Sequence, residues 1–390
     1  MDNTRMNMTY KKRKIIILSL VLTVSMIFSA CEFIIDMDTS DTYSETSRSS
    51  ELSEPGDSAN SEQSSEDSSD NTSSVVSNST SETSSVTSSE TSSEYSQDEV
   101  SYDENTVQII NGIIVAGTRG MEQYGGGPKS AAAYAGYLND FKVALGDGIN
   151  VYSMPIPIAS AFYAPEQYKS SINAHINTFA SVRDNLVGVK DVNLLNALSL
   201  HTDEKLYSYT DYHWQALGAY YSSQELAKVA GVSFTDISNF TRESFSGYLG
   251  SLSSKSSILK NNPEEFVYYV PNQEYTANFY KRTTFKDPFE NSLFFAGNSY
   301  SKFIGGDSYC VKVDTGVNNG RKLIIFKESY GNALVPFLIG SFEQVYVVDI
   351  RYFEFDVLDF IKENGITDVC FSLSAFSIVG SNGAKVKNMN

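Results

Sequence analysis

Cysteine is almost missing from this chain, with three residues in 390. That excludes a disulfide-dense scaffold, and without a C-x-x-C pair it excludes the common cysteine zinc and redox motifs. Histidine is as scarce: only His175, His201 and His213. There is no H-E-x-x-H motif, and Asp211 with His213 has no evident third ligand, so no metal is expected. The G-x-S-x-G elbow of the common α/β-hydrolases is absent. From residue 105 onward there is no positively charged run, which argues against nucleic acid as a partner.

A long apolar run is also lacking. The stretch from Ile15 to about Phe28 falls short of the about 20 residues a membrane-spanning helix needs. It follows the basic cluster Lys11-Lys12-Arg13-Lys14 and ends in Phe28-Ser29-Ala30-Cys31. This is the layout of an export signal over residues 1–30. The small residues before Cys31 resemble a bacterial lipoprotein lipobox, although Phe28 stands where an aliphatic residue is usual. The resemblance implies lipidation at Cys31 and an extracytoplasmic, membrane-anchored protein. The alternative is an uncleaved anchor, which leaves the remainder on the same side of the membrane.

In residues 31–104 apolar side chains are too sparse to build a core, and Ser, Thr and acidic side chains dominate, so a disordered tether is expected. From 32 to 104 there are 19 acidic residues against one basic, Arg48. That balance equals the net charge of the whole chain, −18. The acidity therefore belongs to the tether and says little about the rest. A self-repelling linker of this length extends, and can hold a domain tens of ångströms from a membrane.

Residues 105–390 are enough for one large α/β domain or two small ones. One or two strands are expected over 107–115, a helix over Pro128–Leu145, and a strand from Asn150 that stops before Pro155. A helix follows over 169–182, a short strand over 187–192 and a helix over 214–230. Residues 232–290 are rich in Ser, Asn and Tyr with weak periodicity, and read as an insertion with short strands. The C-terminal part reads β-α-β-α-β: strand 322–326, helix 330–339, strand 344–348, helix 355–363, strand 368–373. That is the pattern of a parallel sheet, whose functional residues gather at the strands' carboxyl ends. Cys310 and Cys370 sit in strand-like apolar runs. This setting favours buried free thiols, with a disulfide the open alternative.

Two short segments carry concrete chemistry. Thr210-Asp211-Tyr212-His213-Trp214 holds a carboxylate two residues before an imidazole. In an extended segment those side chains project to the same face, so Asp211 can orient His213. Lys327-Glu328-Ser329-Tyr330-Gly331-Asn332 places Ser329 where a strand gives way to a helix. Nucleophile Ser329, base His213 and acid Asp211 are the parts of a serine hydrolase or acyltransferase, and need no cofactor. The helix N-terminus favours an oxyanion. Asn332 can donate to that oxyanion or cap the helix. Arg351 can bind an anionic substrate group or pair with Asp349. Tyr330 suits packing more than chemistry. Gly125-Gly126-Gly127 can form an anion nest or a flexible turn.

Together, Thr210–Trp214, the KESYGNALVPFL segment at 327–338 and Val348-Asp349-Ile350-Arg351-Tyr352-Phe353 resemble the bacterial DHHW proteins. These are related to alginate O-acetyltransferases of the AlgX/AlgJ type. Asn111–Gly117, Tyr152–Tyr163 and Gly305-Gly306-Asp307 also look like that family, so the resemblance spans about residues 107–375. It implies an SGNH-hydrolase-like (flavodoxin-like) three-layer α/β/α fold with a Ser329–His213–Asp211 triad. Tyr212 replaces the first His of the name motif, and Glu328 stands where Asp is usual. The implied reaction is transfer or hydrolysis of an O-acetyl group on an envelope polysaccharide, with a membrane-bound acyltransferase as acetyl donor. The rival expectations are a catalytically inactive glycan-binding module and a solute-binding lipoprotein.

Overall fold

The structure is a computed structural model and describes Asp103 and residues 106–389. The expected signal segment, Cys31 and all of the tether but Asp103 lie outside the described residues.

The chain enters through a three-stranded antiparallel meander: β1 (Val107–Ile110), β2 (Ile113–Ala116) and β3 (Arg119–Glu122). The expected one or two strands at 107–115 are two. Asn111 and Gly112 join them with φ of 48° and 79°, the left-handed pair a tight hairpin demands. Helix α1 (Pro128–Leu145) has the expected bounds, opened by Pro128 and followed by Gly146 at φ 76°. Then come β4 (Asn150–Ile156), α2 (Ser170–Arg183), β5 (Lys190–Asp191), α3 (Leu194–Ser199) and α4 (Ala216–Ala230). Strand β4 runs on through Pro155. Ser153 O accepts from Val192 N, so the odd residues of β4 face β5. That strand ends at Asp191, and the missing Pro155 N–H costs no ladder bond.

The remaining strands are β6 (Phe240–Tyr248), β7 (Glu264–Pro271), β8 (Tyr275–Lys281), β9 (Phe289–Glu290), β10 (Tyr309–Thr315), β11 (Lys322–Lys327) and β12 (Gln344–Asp349). Helix α5 (Val357–Glu363) and strand β13 (Asp368–Ser374) follow. Among the described residues, eight strands form one sheet in the order β5-β4-β13-β11-β12-β10-β8-β9. The first five are parallel, and β10 turns the remainder antiparallel. The sequence reading of a parallel sheet is thus right for the β4–β13–β11–β12 core, and the antiparallel edge is added. Residues 232–290 are only partly an insertion: β6 and β7 form a separate ribbon, whereas β8 and β9 belong to the main sheet.

Helices cover both faces. Phe141 of α1 meets Phe371 edge-on, and Phe360 of α5 meets Tyr346; the strand register puts Phe371 and Tyr346 on one side. On the other side Arg321 ties Tyr152 and Asp368 to the carbonyl of Ala230, at the end of α4. This is an SGNH-hydrolase-like three-layer arrangement. The sheet centre is apolar without a break: Leu323–Phe326 and Val345–Val348 are buried, as parallel strands covered on both faces must be. Cys310 and Cys370 are buried free thiols, and burial pushes the Cys310 thiol up to about 12.

The helix expected over 330–339 is not continuous. A 3₁₀ segment spans Ser329–Leu334 and a single α-turn follows at Val335–Leu338. Pro336 has no N–H to offer residue 332, so an uninterrupted α-helix would lose that bond.

Candidate active site

Ser329 stands directly beyond the carboxyl end of β11, and His213 comes from the loop before α4. The fold brings them together across 116 residues: His213 Nε2 lies 2.8 Å from Ser329 Oγ. On the far side of the ring, Nδ1 lies 2.8 Å from Asp211 Oδ1. A carboxylate there accepts a hydrogen bond from Nδ1–H, which leaves Nε2 as the acceptor facing the serine. Asp211 and His213 are both buried.

They meet through a turn, not through the pleat of an extended segment. The His213 backbone N–H donates to the same Asp211 oxygen at 3.1 Å, an Asx-type turn that folds the segment onto its own side chain. Glu264, at the start of β7, holds that loop from beneath. It accepts from Tyr209 N (3.0 Å), Thr210 N (2.9 Å) and Thr210 Oγ1 (2.7 Å), and pairs with Lys205.

The β6–β7 region also completes the acid arm. Tyr248 Oη donates to Asp211 Oδ2 at 2.6 Å, and Ser251 N donates to the same oxygen at 3.1 Å. Burial alone would raise this carboxyl. The hydrogen bonds from His213 and Tyr248 outweigh it and hold Asp211 well below its usual range. Gly250 makes the approach possible: a Cβ there would fall 2.2 Å from Asp211 Cβ.

Ser329 has a second neighbour. Its Oγ lies 3.2 Å from Glu328 Oε2, while Glu328 Oε1 accepts from Ser374 N at 3.0 Å. The hydroxyl has one proton and two acceptors in reach, His213 and Glu328. Ser329, His213, Asp307 and Asn332 line an open cleft of about 280 Å³ together with Tyr212, Tyr248 and Tyr300.

Asn332 reaches the cleft edge, where Nδ2 donates to Asp307 Oδ1 at 3.1 Å. Its Oδ1 is buried and has no hydrogen-bond partner among the described residues. Arg351 is already engaged: Nε and Nη2 grip both oxygens of Asp349 at 2.8 and 2.6 Å, and Nη2 reaches Asp307 at 2.6 Å. Of its two expected roles, this geometry is the structural link. Lys327, fully buried, completes the cluster at 3.3 Å from both Asp307 and Asp349. Burial opposes ionisation of Asp307, but Lys327 and Arg351 prevail and hold it to about 2.

Tyr330 packs. Its hydroxyl donates to Tyr212 O, its ring meets Trp214 edge-on, and its carbonyl accepts from Trp214 Nε1. The glycine run is a close-packed turn: Gly127 N donates to Thr178 Oγ1 at 3.0 Å, and a Cβ at Gly126 would crowd Ala174 and Thr178. Sequence reasoning missed Tyr248, Ser251, Glu264, Tyr300 and the role of Asp307. Only Asp307, in the Gly-Gly-Asp run, had a local signal.

The family profile described as DHHW protein matches residues 1–348. The chain belongs to the DHHW family. A crystal structure of a DHHW family protein from Eubacterium siraeum is 42% identical, with a TM-score of 0.69 over 72% of this chain and 97% of that one. PatB1 of Bacillus cereus, solved with a sulfonyl adduct, shares 19% identity and a TM-score of 0.58, over 71% of this chain and 97% of PatB1. That likeness is one of fold. The O-acetyltransferase domain of Pseudomonas putida AlgJ is 12% identical, with a TM-score of 0.41, over 73% and 99% of the two chains. It is too loose to carry an argument. No curated protein matches this DHHW chain in sequence.

Proposed function

We propose that this DHHW protein transfers or hydrolyses an O-acetyl group on an envelope polysaccharide, with Ser329 as nucleophile, His213 as base and Asp211 as the orienting acid. The observation that carries the reading is the unbroken line from Asp211 Oδ1 to His213 Nδ1 and from His213 Nε2 to Ser329 Oγ, at 2.8 Å each, opening onto a cleft.

In this mechanism Ser329 Oγ attacks the acetyl carbonyl carbon as its proton passes to His213 Nε2. The imidazolium sits against Asp211, whose charge stabilises it. The free Nδ2–H of Asn332, whose other hydrogen is held by Asp307, is available to the oxyanion. Collapse breaks the bond to the donor oxygen, which leaves with the proton from His213. His213 then deprotonates a sugar hydroxyl or water, which attacks the acyl-enzyme and frees Ser329. The tyrosine-lined cleft suits a sugar acceptor, since aromatic faces pack against sugar rings. Transfer requires an acetyl donor, and a membrane-bound acyltransferase is the partner we assign. Export, lipidation at Cys31 and the tether would place the domain beside it.

The test uses the whole chain in detergent, with and without Ser329→Ala, exposed to an aryl acetate and to a sulfonyl fluoride. The expected result is acetate release and a covalent mass increase on Ser329, both lost in the alanine variant. No adduct and no turnover in a folded wild-type chain would sink the reading in favour of a glycan-binding module.

A further inference from the structure

The triad does not account for the aromatic ring that lies nearest the base. Tyr300 stacks on the His213 ring with centroids 3.8 Å apart and planes 4° from parallel. It belongs to a short turn between β9 and β10, far in sequence from both catalytic segments. Its hydroxyl donates to Tyr330 O at 3.1 Å and accepts from Trp214 Nε1 at 3.2 Å. Phe303 packs against the ring at 5.4 Å and Phe266 at 6.5 Å. The phenol is pinned at its hydroxyl and along its ring, so the face it shows to His213 is fixed.

We propose that Tyr300 is a positioning residue for the base: its ring face holds the imidazole in line with Ser329 Oγ and stabilises the imidazolium formed when the serine gives up its proton. The inference rests on the acyl-transfer reading. Two physical effects act together. A ring stacked at this distance blocks rotation of the imidazole about its bond to Cβ, so Nε2 stays directed at Ser329. The negative π-face of a tyrosine also attracts a cation lying over it, more strongly where water is excluded. Neutral imidazole gains little from that face and imidazolium gains more, so the contact favours the state that forms along the reaction.

Other groups face the same ring. Asp211 bonds to it from the same loop, Glu122 acts on it from the end of β3, and Glu328 lies beside Ser329 just past β11. Tyr212 and Tyr330 tilt against it at 4.1 and 5.1 Å. The carboxylates also favour imidazolium, so the Tyr300 contribution must be isolated by changing its ring electronics and nothing else.

The experiment compares Tyr300→Phe with Tyr300→pentafluorophenylalanine in the whole chain. The two rings are close in shape and opposite in the sign of their face potential. The readout is the NMR titration of the His213 imidazole, assigned against a His213→Gln chain. With three histidines in the protein the signals are separable. We expect the phenylalanine chain to titrate close to wild type. The fluorinated chain should titrate lower by roughly half to one pH unit, and its Ser329 should react with a sulfonyl fluoride about three- to tenfold more slowly. Equal midpoints in the two variants, with His175 and His201 signals unchanged, overturn the inference whatever the reactivity of Ser329. A wild-type Ser329 that never forms an adduct overturns the acyl-transfer reading instead, whatever the midpoints.

Discussion

Trp214 Nε1 lies 3.0 Å from the carbonyl oxygen of Tyr330. The residue after the base is thereby tied to the residue after the nucleophile, and the indole, fully buried, clamps the two loops together. The same carbonyl accepts from Tyr300 Oη, so base, nucleophile and stacked ring share one hydrogen-bond node.

Replacing Trp214 with Phe removes the donor and leaves a small void. Stability should fall by about 1–3 kcal/mol. Because the lost bond sets the approach of Ser329 to His213, sulfonyl modification of Ser329 should slow more than the stability loss explains. Denaturant unfolding and labelling kinetics on the same sample check this. A variant that loses stability yet labels at the wild-type rate would show that the clamp does not align the pair.

Gly250→Ala should be far more damaging than its size suggests. The backbone there, with φ −82° and ψ −173°, suits any residue, so the cost is purely steric. The new Cβ would fall 2.2 Å from Asp211 Cβ and 2.3 Å from its Oδ2. We expect a loss of about 1–3 kcal/mol in stability and, because the acid arm must move, on the order of a hundredfold in Ser329 reactivity. Gly316→Ala, where an added Cβ meets nothing within 4 Å, is the control and should change neither.

His175 should give the fold a pH dependence unrelated to the site. Burial lowers it to about 4, against an ordinary value near 6.5. Nδ1–H donates to Ser171 O at 2.7 Å and Nε2 accepts from Ile158 N at 3.4 Å, so the neutral ring is the one that fits. The unfolded chain takes up this proton first as pH falls. The stabilisation is therefore complete above pH 6.5 and is lost on the way down to about 4, on the order of 3 kcal/mol. Asp191 works in the opposite sense: burial raises it to about 6, so its contribution is lost as pH rises from about 4 to 6. Urea unfolding of wild type and His175→Gln at pH 7, 5.5 and 4.5 separates the two. The difference between the chains should narrow steadily towards acid pH, and a difference independent of pH would refute the assignment.

Much of this protein was legible in its sequence because it depends on neighbours along the chain. Pro128 and Gly146 bound α1, alternating strands and helices gave the parallel core, and the run Leu323–Phe326 marked a strand buried on both faces. Asp211 and His213 are two residues apart, so their pairing follows from almost any compact path, although the path proved to be an Asx turn. Ser329 stood out through its place at a strand end.

Tertiary structure alone decided what those residues face. Tyr248 and Ser251 reach Asp211 because the β6–β7 region folds over the loop before α4, and Tyr300 reaches His213 from 87 residues away. Sequence left Arg351 two roles, an anion site or a link to Asp349, and only the fold shows that Asp349 and Asp307 satisfy it. The antiparallel edge arose in the same way, since β8 pairs with β10 across a long irregular stretch and not through a short hairpin turn. Local propensity and spacing act over a few residues. The identity of a buried group's partner is set by the burial of the whole sheet and its helices, where each polar atom must find its complement among residues that periodicity cannot connect.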